Sequence, residues 1–392
     1  MSRIRRGPVS NWWWSVDRWL LAAAMLLMGI GFLLSLSASS AATHRLRIDD
    51  SFHFVTRHAV FLGLAAATLI GTSFLSMRWA RRLGLVLFAA MLVALMLLPF
   101  IGFSAKGATR WFSVGPFLLQ PSEFLKPGFV IATAFLFAEG VRRPDIPANA
   151  MALGLVGLCG GLLVMQPDMG QTILIAGVWA AMFFMAGMPM MWIVALGGVG
   201  LLGLGAAYFT VDHFAQRIDR FVTGTGDTFQ VDRGIEAIQS GGWLGRGPGE
   251  GQVKYGLPDS HTDFIFSVAG EEYGILFAMV LVGLFAFLVI HGLRHAMAER
   301  DRFASLAVAG LVLAFGFQAF INIGVNLQLL PAKGMTLPFL SYGGSSMIAV
   351  ALGLGFVLAL TRRRSDHYRR PSLSGQTARF GPSLLPLAIA KG

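Results

Sequence analysis

The chain is short of the residues that soluble proteins rely on. Only 13% of its 392 residues are charged, against about 25% in an ordinary soluble domain, so a soluble domain is excluded. Cys159 is the single cysteine, which rules out an intramolecular disulfide and a cysteine-built metal site. Lysine is scarce too: Lys106, Lys126, Lys254, Lys333 and Lys391 complete the set. The glycine-rich "GRGPGEG" fits neither a P-loop nor a dinucleotide fingerprint. No internal repeat stands out, which weighs against a carrier assembled from two related halves.

Apolar residues fill the space, at 55% of the chain with a mean hydropathy of +0.66. Apolar runs fall at 19–38, 59–75, 83–103, 127–140, 150–166, 171–188, 190–210, 264–293, 303–325 and 343–361. At about 20 residues per crossing, the pattern predicts an all-α polytopic membrane protein of about ten transmembrane helices. A large extracytoplasmic loop, 211–263, joins helices 7 and 8, with a helical piece around "QVDRGIEAIQS". Basic clusters "RIRR", "RWARR", "VRRPD", "RHAMAERDR" and "RRRSDHYRR" fall on one side of a ten-helix chain, and that side is cytoplasmic by the positive-inside rule. Both termini then lie in the cytoplasm: 1–18 ahead of the 19–361 membrane domain, and a basic, mobile tail at 362–392. The first apolar run imitates a secretory signal peptide, but Trp12, Trp13, Trp14 and Trp19 suit an interfacial anchor on an uncleaved helix. The net charge of +11 is assigned to these loops and to membrane lipid, with no nucleic acid partner.

Four segments on the outer side carry more polar chemistry than connectors need. In "KGATRWFSVGPFLLQPSEFLKPG", Gln120, Ser122, Glu123 and Lys126 open the fourth helix. Glu123 and Lys126 are three apart and share a helical face, as a local ion pair or as substrate contacts. "QPDMGQT" places Asp168 in a turn that ordinary turn chemistry explains. "LPDSHTDFIFSVAGEEYG" sets His261, Thr262 and Asp263 against an apolar helix in which Glu271 and Glu272 must face a cavity or a cation. "NIGVNLQLLPAKGMTLPFLSYGGSSM" offers Asn322 and Asn326 four apart, Lys333 on a Pro/Gly-rich stretch, and Ser341 before the last helix. Arg110, Arg217, Arg220, Arg233 and Arg246 join four of the lysines on the outer side, against the usual bias, and as a set they suggest an anionic ligand there.

These stretches, with "IQSGGWLGRGPG", resemble the SEDS family (shape, elongation, division and sporulation), in family order over about 110–350. "GEE" and "TLPFLSYGGSS" favour its division branch over its elongation branch. The resemblance implies a glycosyltransferase that polymerises lipid II into glycan strands outside the bacterial cytoplasmic membrane, at the division septum. It also implies a class B penicillin-binding transpeptidase and other division-machinery proteins as partners. Its catalytic aspartate falls on Asp263, either as a general base toward the acceptor hydroxyl or as a ligand of a divalent cation, Mg2+ or Mn2+; no organic cofactor is implied. Arg110, Gln120, Ser122, Glu123, Lys126, His261, Thr262, Glu271, Lys333 and Ser341 are the substrate-binding candidates. A lipid II flippase, and a scaffold that only anchors the transpeptidase, are the competing readings.

Overall fold

A chain this apolar crosses a bilayer only if each segment closes its own backbone hydrogen bonds, and the computed structural model meets that demand with helices. It describes residues 7–105, 108–115, 117–210, 229–331 and 334–362, with isolated positions between 215 and 223. Lys106, Arg217, Arg220, Lys333, Lys391 and the tail from 363 onward lie outside the described residues. The helices are α1 (Pro8–Ser15), α2 (Arg18–Leu46), α3 (His53–Ser73), α4 (Met77–Ile101), α5 (Pro121–Arg142), α6 (Ala148–Met165), α7 (Met169–Met185), α8 (Met190–Thr210), α9 (Phe229–Gly241), α10 (Ile265–Ala298), α11 (Arg302–Asn326) and α12 (Gly344–Thr361). Among the described residues nine helices are long and apolar enough to span, and the 17-residue α7 is a tenth apolar one. The protein is therefore an all-α polytopic membrane protein, as composition predicts.

Three features go beyond the hydropathy pattern. α2 continues eight residues past its expected end at 38, where Ser40 and Thr43 return their hydroxyls to carbonyls of the same helix, which hides polar groups inside a helix interior. α1 buries Trp12, whose indole N–H reaches Ser73 Oγ at 2.8 Å, and leaves Trp13 and Trp14 exposed, the disposition of an interfacial anchor. Between α4 and α5 the chain forms a small antiparallel sheet of β1 (Phe103–Ala105), β2 (Ala108–Val114) and β3 (Phe117–Leu119), in that order.

Burial ranks the helices. α5 and α11 bury two thirds of their apolar windows and α12 slightly more, whereas α4 and α6 bury about a fifth and α8 none. α5, α11 and α12 are thus the centre, and α8 is peripheral, with Leu196 packed against the core. At one end of the bundle Arg142 meets Asp301, Arg302 donates to the Ala186 carbonyl, and Arg362 donates to Ser73 and Phe74 carbonyls. That end gathers the connections after α3, α5, α7 and α10, with arginines at those after α3, α5 and α10, and Arg362 at the close of α12. The opposite end holds the polar segments singled out above.

α10 does not run straight. At Gly274 the backbone takes φ 81°, ψ 178°, which frees groups that a membrane helix must satisfy elsewhere. The loop after α9 supplies the partners: Arg246 and Gly247 N–H donate to the Glu271 and Glu272 carbonyls, and Ile275 and Leu276 N–H donate to Gly242 and Trp243. A Cβ on Gly274 would lie 2.4 Å from Gly245 N, and left-handed φ already favours glycine there. Gly274→Ala should therefore lower stability by at least about 2 kcal/mol, seen as a fall in thermal midpoint of the purified protein in detergent. An unchanged midpoint would mean the loop does not dock on the break.

Candidate active site

Asp263 sits half-buried at the head of α10, in a turn built by its neighbours. Asp259 adopts φ 52°, and its carbonyl accepts N–H groups from Thr262, Asp263 and Phe264. α11 then grips the Asp263 carbonyl from beside it. Asn322 Nδ2 donates to that oxygen at 2.8 Å and Asn326 Nδ2 at 2.9 Å. Asn322 also holds the Met335 carbonyl at 2.7 Å, and Asn326 Oδ1 accepts from Ser267 N–H and Oγ–H. Buried side-chain amides with their donors and acceptors filled make a rigid mount, and what these amides hold is the backbone oxygen of Asp263. A Cβ on Gly334 would come 3.4 Å from Asp263 Oδ2, which places the 334–341 segment against that carboxylate.

The same α11 face carries Gln318, four residues before Asn322. Gln318 Oε1 accepts from Lys126 Nζ at 2.7 Å, and its amide donates to Thr336 and to Ser346 Oγ. Lys126 pairs at 2.7 Å with Glu123 Oε2, both buried, and Glu123 Oε1 accepts from Gln171 Nε2 at 2.6 Å. Three polar residues at i, i+4 and i+8 on one helix thus link α5, α7, the 334–341 segment and the Asp263 turn. A small cavity of about 30 Å³, lined in part by Glu123, Lys126, Gln318 and Pro127, lies beside this network.

The remaining candidates frame the site. Arg110 in β2 donates to the Gln166 carbonyl at 3.0 Å and to the Pro167 carbonyl, tying the hairpin to the turn before α7. Burial pushes the Asp168 carboxyl in that turn above its usual range, against the opposing pull of Arg110. Gln120 N–H donates to Ser345 Oγ at 3.1 Å, and its side chain donates to Ser122, which is buried. Ser341 Oγ–H donates to the Thr262 carbonyl at 2.5 Å and accepts from Leu337 N–H. The His261 carbonyl accepts from Tyr342 N–H, and its ring packs on Phe54 with centroids 4.4 Å apart.

Two expectations change. Lys254 is fully buried against Glu272 at 2.5 Å, with Ser37 on the other carboxylate oxygen, and Lys126 is held by Glu123 and Gln318. Neither waits on the surface for an anion; the desolvation cost of a buried cation is met by an internal partner. Glu271, named as a substrate contact, is fully buried and accepts N–H groups of Val253 and Lys254 at 2.7 and 2.9 Å. Its observed work is to hold the 3-10 turn Val253–Gly256 against α10.

Sequence reasoning missed Gln171, Gln318 and the gripping role of Asn322 and Asn326. The signal for the last three was the four-residue spacing of amides along an otherwise apolar helix. No comparable signal joins Lys254 to Glu272, which are 18 residues apart on different elements.

The family model for FtsW, RodA and SpoVE, described as cell cycle protein, matches residues 17–366. The chain is 48% identical over 381 residues to a probable peptidoglycan glycosyltransferase FtsW of Caulobacter vibrioides (strain NA1000 / CB15N), covering 97% of this chain and 96% of that protein. It is 32% identical to the stage V sporulation protein E of Bacillus subtilis (strain 168), over 89% and 97% of the two. Among solved structures, a chain described in connection with the coordination of polymerization and crosslinking by a peptidoglycan synthase complex superposes with a TM-score of 0.74 at 29% identity, over 88% of this chain and 97% of that one. The rod shape determining protein RodA of Thermus thermophilus gives 0.66 at 29% identity, over 89% and 97%.

Proposed function

Because the chain belongs to the FtsW/RodA/SpoVE family of cell cycle proteins, we infer that it is a peptidoglycan glycosyltransferase that polymerises lipid II into glycan strands during septal wall synthesis. The observation that carries the reading is the mount of Asp263: a carboxylate at the head of a membrane helix whose backbone oxygen is gripped by two buried amides. The end of the bundle with the basic connections is the cytoplasmic one by the positive-inside rule, so both termini are cytoplasmic and Asp263 faces outward. There the lipid tails of both substrates stay in the bilayer while the sugars reach the carboxylate.

In the reaction, the 4-hydroxyl oxygen of the acceptor GlcNAc attacks the anomeric carbon of the donor MurNAc. Asp263 takes the hydroxyl proton as the new glycosidic bond forms. The bond from the anomeric carbon to the pyrophosphate oxygen breaks, and undecaprenyl pyrophosphate departs as an anion without needing a proton. Its charge must be balanced. With Lys126 and Lys254 internally paired, Arg110 in the hairpin and Lys333, singled out by the sequence, are cationic candidates for that balance, together with a divalent cation. Asp263 gathers with no second and third His, Cys, Asp or Glu into a ligand set among the described residues. A single carboxylate fits Mg2+ or Mn2+ that completes its shell with substrate phosphate and water. Such an ion would supply charge balance at the leaving group.

A class B penicillin-binding transpeptidase is the partner that crosslinks the product, a proposal supported by the synthase-complex likeness. The test incubates purified protein with fluorescent lipid II, the transpeptidase and Mg2+ or Mn2+. Glycan chains support the reading, whereas lipid II crossing vesicle membranes with no chains made replaces it with the flippase. The Asn grip has its own readout. Asn322→Ala and Asn326→Ala should each lower kcat by about 10- to 100-fold with little change in KM, since misplacing a base by an ångström costs about that much.

A further inference from the structure

At the end of the bundle remote from Asp263, three side chains converge whose types are those of a metal site. His291 and His295 lie four apart in the closing turns of α10, in the stretch "HGLRH". Both present Nε2 to Asp17 Oδ2, at 2.9 and 2.5 Å. All three donor atoms lie within 4.8 Å of one another. From the start of α10 to its end at 34 residues is on the order of 50 Å at 1.5 Å per residue, less the kink, so this cluster is no part of the polymerisation site.

We propose that Asp17, His291 and His295 form a binding site for a transition-metal ion of the Zn2+ type, clasping the start of α2 to the end of α10. The geometry is prepared on both sides. Histidines at i, i+4 point from one helical face, the spacing by which helices hold Zn2+. The carboxylate is oriented by its other oxygen. Asp17 Oδ1 caps α2, accepting Trp19 and Leu20 N–H at 2.9 and 3.0 Å, which turns Oδ2 toward the imidazoles. Capped ligands of this kind are how second partners fix a metal's donors. Bonds of about 2 Å at tetrahedral angles set neighbouring donors roughly 3.3 Å apart, so His291 and His295, now at 2.9 and 2.5 Å from Oδ2, would each draw back by less than about 1 Å to admit the ion. All three side chains are partly exposed, which leaves an entry path and a fourth position for water. The nearest basic neighbour on α2, Arg18, lays its guanidinium over Trp14, 5.6 Å from the ring centroid. Two imidazoles and one carboxylate suit Zn2+ or Co2+ and not Mg2+, which wants an all-oxygen shell.

What the ion would do follows from what it joins. The N-terminal segment is otherwise held by Trp12, which bonds Ser73 and stacks on Phe74 of the α3–α4 connection. The clasp adds a bond from that segment to α10, the helix whose other end carries Asp263.

The test uses full-length, tag-free protein in detergent, stripped with a chelator. Co2+ titration should give one equivalent with the visible absorption of a four-coordinate ion, and Zn2+ should displace it and raise the thermal midpoint. His291→Ala and His295→Ala should each weaken binding at least about tenfold and abolish the thermal shift. Asp17→Asn keeps an N-cap residue and so keeps the fold while losing the anionic ligand; it should weaken binding as well. His44→Ala/His53→Ala, on the opposite end, should bind as the parent does. No stoichiometric Co2+ spectrum, or equal binding by the parent and all three site variants, overturns the proposal and leaves a carboxylate shared by two histidine hydrogen bonds.

Discussion

Asp263→Asn should reduce glycan polymerisation by about a thousandfold, within the 10² to 10⁴ that a positioned general base contributes, while the thermal midpoint stays close to that of the parent. The separation of activity from stability follows from how the residue is held. Asn322 and Asn326 grip Asp263 by its carbonyl, and the turn around the Asp259 carbonyl is closed by three backbone N–H groups and the Thr262 hydroxyl. An asparagine keeps that backbone and the side-chain volume and loses the negative charge with which the residue takes a proton or binds a cation. The measurement is chain synthesis from lipid II with the transpeptidase present, beside a melting curve and a pull-down of that partner. A variant that polymerises at a tenth of the parent rate or better would remove Asp263 as the base and shift attention to the pyrophosphate end of the reaction. If Mn2+ in excess restores the variant, the carboxylate's contribution is cation binding instead.

The sequence speaks clearly about the fold because hydrocarbon thickness is a single length that every spanning helix must match. Ten apolar runs correspond to α2 through α8 and α10 through α12. The boundaries shift where polar residues hide their own hydrogen bonds, as at the end of α2, because hydropathy counts Ser40 and Thr43 as polar whether or not their hydroxyls are returned to the helix. The candidate site was legible in part for a different reason. Glu123 and Lys126 are close in sequence, so helical spacing alone joins them. Asp263 was visible as a carboxylate placed at a costly boundary. The links between segments were not legible: Asn326 to Asp263, Gln171 to Glu123 and Lys254 to Glu272 depend on which helices pack together, and a hydrophobic pattern carries no information about neighbours in the bundle. Hence the outer lysines looked like a set awaiting an anion, when two of them serve as internal counter-ions.

The second large effect concerns one of those two. Lys126→Met should destabilise the protein by about 3–5 kcal/mol, the loss expected when one partner of a buried pair is removed and the other charge is left behind. Among the described residues Glu123 would keep Gln171 as its side-chain partner, in the centre of the bundle where α5 buries two thirds of its apolar window. Lys126→Met/Glu123→Gln should recover at least half of that loss, since a neutral amide still accepts from Gln171 and methionine fills the lysine stem's volume. Activity is expected to follow a different course. Lys126 also holds Gln318, and Gln318 holds Thr336 two residues from the glycine that lies against the Asp263 carboxylate. Without the lysine that chain of contacts slackens whether or not Glu123 is neutralised, so the double variant should melt well above the single one and still polymerise at least about tenfold more slowly than the parent. Melting curves and single-turnover polymerisation on the two variants give the comparison. Recovery of both stability and rate in the double variant would confine Lys126 to packing. Recovery of stability alone makes the pair part of the frame that aims Asp263 at the acceptor hydroxyl.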